Sequence, residues 1–262
     1  MSSLNRIGAV LKKDIHWAAN NLKLLTIMIL PALIVILFSR LDREATFVFS
    51  ITFVNAFVGL FAMSYLIIEE KNKGTLLALL TSPLRNHELL ISKYLFTLIL
   101  CLGFSTMAAA LNGRMDVLIH PIKLLNLLLF AGTTCFYGYV TGLFFKNEQE
   151  MSIFAPLLML VFVVGESINR ASAKGGLFAY FPDYHFSKLI SDSGPQDWSS
   201  IGLHTGFNAV YFLAALVFAA FFTRFYFANN REKRFSTPLS LGLLVSLSFF
   251  ALSGFLSPTL LK

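Results

Sequence analysis

Residues 46–68 read TFVFSITFVNAFVGLFAMSYLII, and residues 69–83 continue EEKNKGTLLALLTSP. The first stretch carries no charged side chain over 23 residues. As a helix that length crosses a hydrocarbon core of about 30 Å. The second stretch opens on two carboxylates, Glu69 and Glu70, followed by Lys71, Asn72, Lys73 and Gly74. The chain therefore leaves the apolar phase at Glu69. The apolar turn Leu76–Leu80 that follows is far too short to return across it. A membrane span followed by a water-side loop with an apolar knob sets the fold class.

Apolar blocks of similar length recur near 23–39, 89–111, 123–145, 151–168, 203–227 and 239–260. With 46–68 they predict an all-α, polytopic integral membrane protein, one transmembrane domain over 1–262. Composition agrees: 56% of residues are hydrophobic, 13% are charged and the mean hydropathy is +0.70. An ordinary soluble domain is about 25% charged. Half that charge cannot cover a water-facing surface, which excludes a soluble single-domain enzyme and a disordered chain. The 28 Phe residues suit lipid-facing and helix-packing surfaces. The net charge of +7 sits beside the apolar blocks, where it anchors helix ends and sets orientation, so no nucleic-acid partner is expected. Cys101 and Cys135 lie inside spans without a zinc pattern. The first 20 residues carry Arg6, Lys12, Lys13 and Asp14 and lack the apolar core of a cleavable signal peptide.

Residues 1–22 repeat apolar positions at helical spacing: Leu4, Ile7, Leu11, Ile15, Ala18 and Leu22. Arg6, Lys12, Lys13, His16 and Asn20 fall mostly on the other side. That pattern predicts an amphipathic elbow helix in the membrane interface, with Trp17 at headgroup depth. The plainer alternative is the frayed start of the first span. Pro31 and Pro156 are expected to kink or loosen their helices. With the N-terminus in the cytoplasm, Lys and Arg divide thirteen inside against eight outside. The positive-inside bias therefore puts 69–88 in the cytoplasm and 169–202 outside, with Arg224 snorkelling to the inner surface. Within 169–202, the stretches 177–181 and 186–190 are apolar enough to dip back into the bilayer edge.

In the 69–93 segment, Gly74 is expected to break the helix. Ser82 and Pro83 read as an N-cap and a first helical residue, and Glu88 falls in the first turn of the next helix, where the dipole favours its charge. The apolar knob needs cover, either at the membrane surface or in a groove of another protein. The segment resembles the ABC-2-type (type V) ABC transporter permease family. The family pattern runs E-x-x-x-G-T, a short Leu-rich coupling helix, Ser-Pro, then E-L-L and a Lys. Here it is met by Glu70, Gly74, Thr75, Leu76, Leu77, Leu79, Leu80, Ser82, Pro83, Glu88, Leu89, Leu90 and Lys93. The elbow helix, the loop between spans two and three and the long outer loop match the same layout, over about residues 1–230. The family usually has six spans with both termini inside, so 239–260 is an extra apolar block and the count stands at six or seven.

The resemblance implies that two permeases pair as a homo- or heterodimer in a bacterial cytoplasmic membrane, among its lipids. Each coupling helix then sits in a cleft of a separate ABC ATPase subunit. ATP and Mg belong to that partner, and no cofactor, metal or catalytic residue is expected in this chain. In agreement, no G-x-x-x-x-G-K-S/T phosphate loop occurs in the sequence. The implied function is export, with an amphipathic peptide or hydrophobic drug as the cargo class favoured by many aromatics and few intramembrane charges. Candidates for the substrate path are Asn55, Asn126 and Glu166, since polar groups at membrane depth are functional candidates. Their plainer readings are interhelical hydrogen bonds for the two Asn and an interfacial pair with Arg170 for Glu166. Phe178, Tyr180, Phe181, Tyr184 and Phe186 read as an interfacial belt or a guide for an amphipathic cargo. The enzymatic alternative is an intramembrane protease built from Glu69-Glu70, Phe181…His185 and His204…Asn208. Gly at position 74, where that pattern needs Arg, and the topology speak against it. A passive channel or scaffold is the remaining alternative.

Overall fold

The computed structural model describes residues 3–41, 43–74, 86–163, 181–191 and 197–230. Residues Met1–Thr223 form one compact unit. Arg224–Lys262 form a second, of which the described residues 224–230 are helical. Helix α1 (Ser3–Asn20) meets α2 (Leu22–Phe38) at a bend of 80°. Asn21 makes the corner: it caps α2 by accepting from the Leu24 N–H at 3.1 Å. Then follow α3 (Arg43–Phe57), a π-helical turn (Val58–Ala62) and α4 (Met63–Asn72). The remaining elements are α5 (Asn86–Leu111), α6 (Asp116–Ile119), α7 (Pro121–Phe144), α8 (Glu148–Val161), α9 (Pro182–Ile190) and α10 (Trp198–Asn230).

Every element among the described residues is helical, as the apolar blocks predict. Among the described residues four helices are long and apolar enough to cross a membrane: Thr46–Asn72, Glu88–Leu111, Pro121–Phe144 and Trp198–Tyr226. A bent pair, α1 with α2, brings the number to five. Within that pair the 17 residues of α2 supply about 26 Å of apolar rise. Helix α8 has 14 residues, and the rest of the block expected at 151–168 runs past the described residues. The block 239–260 lies wholly outside them. Both α2 and α8 continue through their prolines.

Two helices form the centre. The apolar window of Thr46–Asn72 is 94% buried and that of α7 is 83% buried, against 33% for α5 and 28% for α10. Small residues allow the two central helices to meet backbone to backbone. Gly138 faces the carbonyls of Gly59 and Leu60 in the π-turn. Four residues on, a Cβ at Gly142 would stand 2.7 Å from that of Ile67. Ser64 donates to the Gly138 carbonyl at 2.8 Å, and Thr134 to the Asn55 carbonyl at 3.0 Å. Along α3 the rings of Phe49, Phe53, Phe57 and Phe61 stack at successive helical turns. The described parts of the two loops read as lying on opposite sides of the membrane are found toward opposite ends of α7. At its C-terminal end Lys71 donates to the carbonyls of Leu143 and Phe145, capping the helix. Near its N-terminal end lie Asn208 and the α9 region.

Candidate functional site

Helix α4 ends in Glu69, Glu70, Lys71 and Asn72. Gly74 follows at φ 67°, a left-handed conformation that costs glycine nothing, and it stops the helix as expected. Helix α5 starts at Asn86 with Glu88 in its first turn. Between them, Thr75, Leu76, Leu77, Leu79, Leu80, Ser82 and Pro83 lie outside the described residues. What the structure shows is the frame from which that segment hangs.

The frame is closed by α1. Arg6 forks onto Glu88, its Nε donating at 3.0 Å to one carboxylate oxygen and a terminal nitrogen at 2.6 Å to the other. The Lys93 ammonium reaches Asp14 at 2.7 Å and Glu70 at 2.9 Å. Lys13 adds a further contact to Glu70 at 2.5 Å. Glu69 accepts from the Trp17 indole at 3.0 Å and from Asn21 at 3.1 Å, and pairs with Lys73 one turn on. Three carboxylates at the two ends of the 75–85 segment are thus each held by α1 or its corner.

The centre of this network is deeply buried. Asp14 and Lys93 are each 1% exposed and Glu88 is fully enclosed. Burial pushes the Asp14 carboxyl above its usual range, and Lys93 beside it pulls the other way. Charged side chains are buried at acceptable cost only where opposite charges and hydrogen bonds converge on them, as they do here. The arrangement ties the end of α4 and the start of α5 to α1.

The sequence pattern showed α1 as two-faced. In the structure it has a third face. Leu4, Ile15 and the following Leu22 stay exposed. Arg6, Val10, Asp14 and Trp17, spaced by three or four residues, turn toward the bundle. Sequence reasoning missed Arg6 and Asp14 as members of the site. The available signal was Asp14, the lone carboxylate in residues 1–22. Glu70, the first residue of the family pattern, stands at the head of the 69–93 segment. Its carboxylate is engaged by Lys13 and Lys93 of the same chain.

The path candidates lie elsewhere. Asn55 donates to Ser105 at 2.8 Å, joining α3 to α5. Asn126 donates to Thr205 at 3.0 Å and accepts from Asn208 at 2.8 Å, joining α7 to α10. Glu166 and Arg170 lie outside the described residues, as do Phe178 and Tyr180. Phe186 is buried and stacked on Phe130 at 4.4 Å. His185 and His204 meet at 2.8 Å between their Nδ1 atoms, at the end of the bundle away from Glu69 and Glu70. The protease alternative needs the glutamates and histidines together. Among the described residues no three His, Cys, Asp or Glu side chains form a metal-binding group.

Residues 9–188 match the family described as ABC-2 family transporter protein, a range that runs from α1 into α9 and holds Asp14, Glu70, Glu88 and Lys93. The chain belongs to the ABC-2 family of transporter proteins. It is a multi-pass transport membrane subunit and not itself the catalyst, and membership implies association with ABC ATPase partners. No curated protein matches the chain.

Proposed function

We propose that the chain is the permease subunit of an ATP-driven exporter in a bacterial cytoplasmic membrane, with its N-terminus inside. Two permeases form the substrate path, and each offers its 75–85 segment to a separate ATPase subunit that binds ATP and Mg. The observation that supports this best is the ion-paired frame: α1 holds both ends of one loop through Glu69, Glu70 and Glu88. A loop with no mechanical duty has no need of three buried or half-buried carboxylates at its ends. Glu70 and Glu88 orient the coupling turn, and Gly74 permits the sharp departure from α4. Asn55, Asn126 and Glu166 are proposed to border the path of an amphipathic or hydrophobic cargo.

The test is Leu77→Asp and Leu79→Asp. Each places a carboxylate in an apolar contact with the ATPase, at a cost of several kcal/mol when unpaired. Membrane insertion is expected to survive, because the segment does not cross the bilayer. Co-purification of the ATPase and substrate export are expected to fall together. Variants that recover the ATPase and export at normal rates would remove the coupling assignment and leave a scaffold or channel.

A further inference from the structure

A crevice of about 970 Å³ opens between the end of α1, the start of α2, the end of α4 and Glu148 at the start of α8. Its walls include Lys13, His16, Trp17, Lys23 and Lys73. Each lysine is paired, but the pairs are lopsided. Lys13, Lys23 and Lys73 keep 47%, 72% and 54% of their side chains exposed. Their partners Glu70, Glu148 and Glu69 keep 8%, 31% and 13%. Glu69 and Glu148 line the crevice with the lysines, Glu70 lies outside its lining, and the ammonium groups are the more exposed member of each pair. An incoming group meets positive charge first.

The surroundings of the crevice are apolar. Leu22, Leu25, Ile29 and Leu33 on α2 are exposed, and so are Ile153 and Leu157 on α8. The Lys23–Glu148 pair at 3.4 Å joins the starts of these two helices, so their apolar faces run down from the crevice into the bilayer. Trp17 stands in the wall, an amphipathic ring of the kind that settles at headgroup depth. We infer that this crevice binds the phosphate of an anionic phospholipid, whose acyl chains lie against α2 and α8. The lysines supply the charge-assisted hydrogen bonds, and the apolar faces distinguish a lipid from a soluble phosphate. The inference requires the membrane reading alone and stands apart from the coupling role of residues 75–85.

The chain has two tryptophans, so Trp198→Phe leaves Trp17 as the sole reporter. That protein is reconstituted in phosphatidylcholine vesicles containing a minor fraction of phosphatidylglycerol. One or the other lipid carries bromines on its acyl chains. Brominated phosphatidylglycerol is expected to quench Trp17 several-fold more than brominated phosphatidylcholine at the same fraction. Lys23→Gln, an exposed change that spares the buried network, is expected to weaken the preference about fivefold, and Lys73→Gln similarly. Lys12→Gln, on the exposed side of α1, is expected to leave it unchanged. Equal quenching by the two lipids would overturn the inference. So would a loss in Lys12→Gln as large as in Lys23→Gln, which would indicate diffuse surface charge. Competition by inorganic phosphate or glycerol phosphate would also overturn it, marking a site for soluble anions.

Discussion

The two ends of the bundle are held by different chemistry. At the end that carries residues 69–74, the elements are joined by full charges: Arg6 on Glu88, and Lys93 with Lys13 on Asp14 and Glu70. At the other end the contacts among α7, α9 and α10 include neutral ones, His185 with His204, Asn126 with Asn208 and Thr205, and Phe186 on Phe130, beside one buried charged side chain, Asp183 of α9. Ion pairs occur there too, but around Asp116, whose side chain is 43% exposed. A buried ion pair adds little net stability, because desolvation offsets the attraction, yet removal of one partner is severe. It therefore fixes position more than it strengthens the fold. Neutral hydrogen bonds in an apolar setting are individually weak, and the parts they join separate at low cost. Under the proposed coupling role, the contrast suits a molecule that transmits force at one end and rearranges at the other.

The largest effect is expected at Lys93. Lys93→Met leaves Asp14 and Glu70 facing each other across an apolar side chain. Loss of one partner from a buried network costs about 3–5 kcal/mol. Thermal unfolding in detergent is expected to show a large drop, with folding in the membrane impaired. The triple variant Lys93→Met, Asp14→Asn, Glu70→Gln is expected to regain most of it, because the uncompensated charges are gone. A stable single variant would mean that water reaches this cluster and that the charged end is no stiffer than the other.

At the neutral end the effect depends on pH. Burial, and next the proximity of His204, push His185 down to about 3. An undocked histidine titrates near 6.5. Docking of α9 is therefore at full strength above pH of about 6.5 and weakens as pH falls toward 3, with the opening constant rising by up to tenfold per pH unit. Labelling of a single cysteine at position 189, which is buried, is expected to accelerate on acidification in a background lacking Cys101 and Cys135. His185→Phe, which keeps the stacking on Phe207, is expected to remove most of the pH dependence. An unchanged pH profile in that variant would assign the acid response to another group, first of all His204 or the buried Asp183 of α9 itself.

Legibility in the sequence follows the same division. The spans were readable because a helix in lipid must be apolar over its whole length, and Thr46–Asn72 and Pro121–Phe144 announce themselves that way. Gly74 and Glu88 were readable because helix ends have local rules. The partnership of Asp14 with Lys93, 79 residues apart, was not, since no local rule joins them. The same holds for His185 and His204. Their spacing suggested a metalloprotease pattern, whereas the fold pairs them with each other. The three-faced character of α1 escaped a hydropathy pattern because a buried ion pair and a solvated charge look alike in sequence.

The smallest effect is expected at Asn208. Its amide donates to Asn126 at 2.8 Å, and Asn126 in turn donates to Thr205 at 3.0 Å. Both asparagines lie in helices that cross the membrane, where such bonds average about 0.6 kcal/mol. Asn208→Ala leaves the Asn126 amide nitrogen its bonds to Thr205 and to the Ile122 carbonyl, but takes from its buried Oδ1 the donor it accepts from. A stability loss of about 1–2 kcal/mol is expected, from the lost bond and the unpaired acceptor together, with ATPase co-purification unchanged. The substrate profile of export separates the two roles open to this pair. If Asn126 is only a strut, Asn208→Ala leaves relative export rates alone. If it borders the path, freeing its Oδ1 acceptor shifts preference toward cargo that can donate a hydrogen bond. A loss of several kcal/mol would show instead that the neutral end is as rigid as the charged one, and the contrast between the two ends would fail.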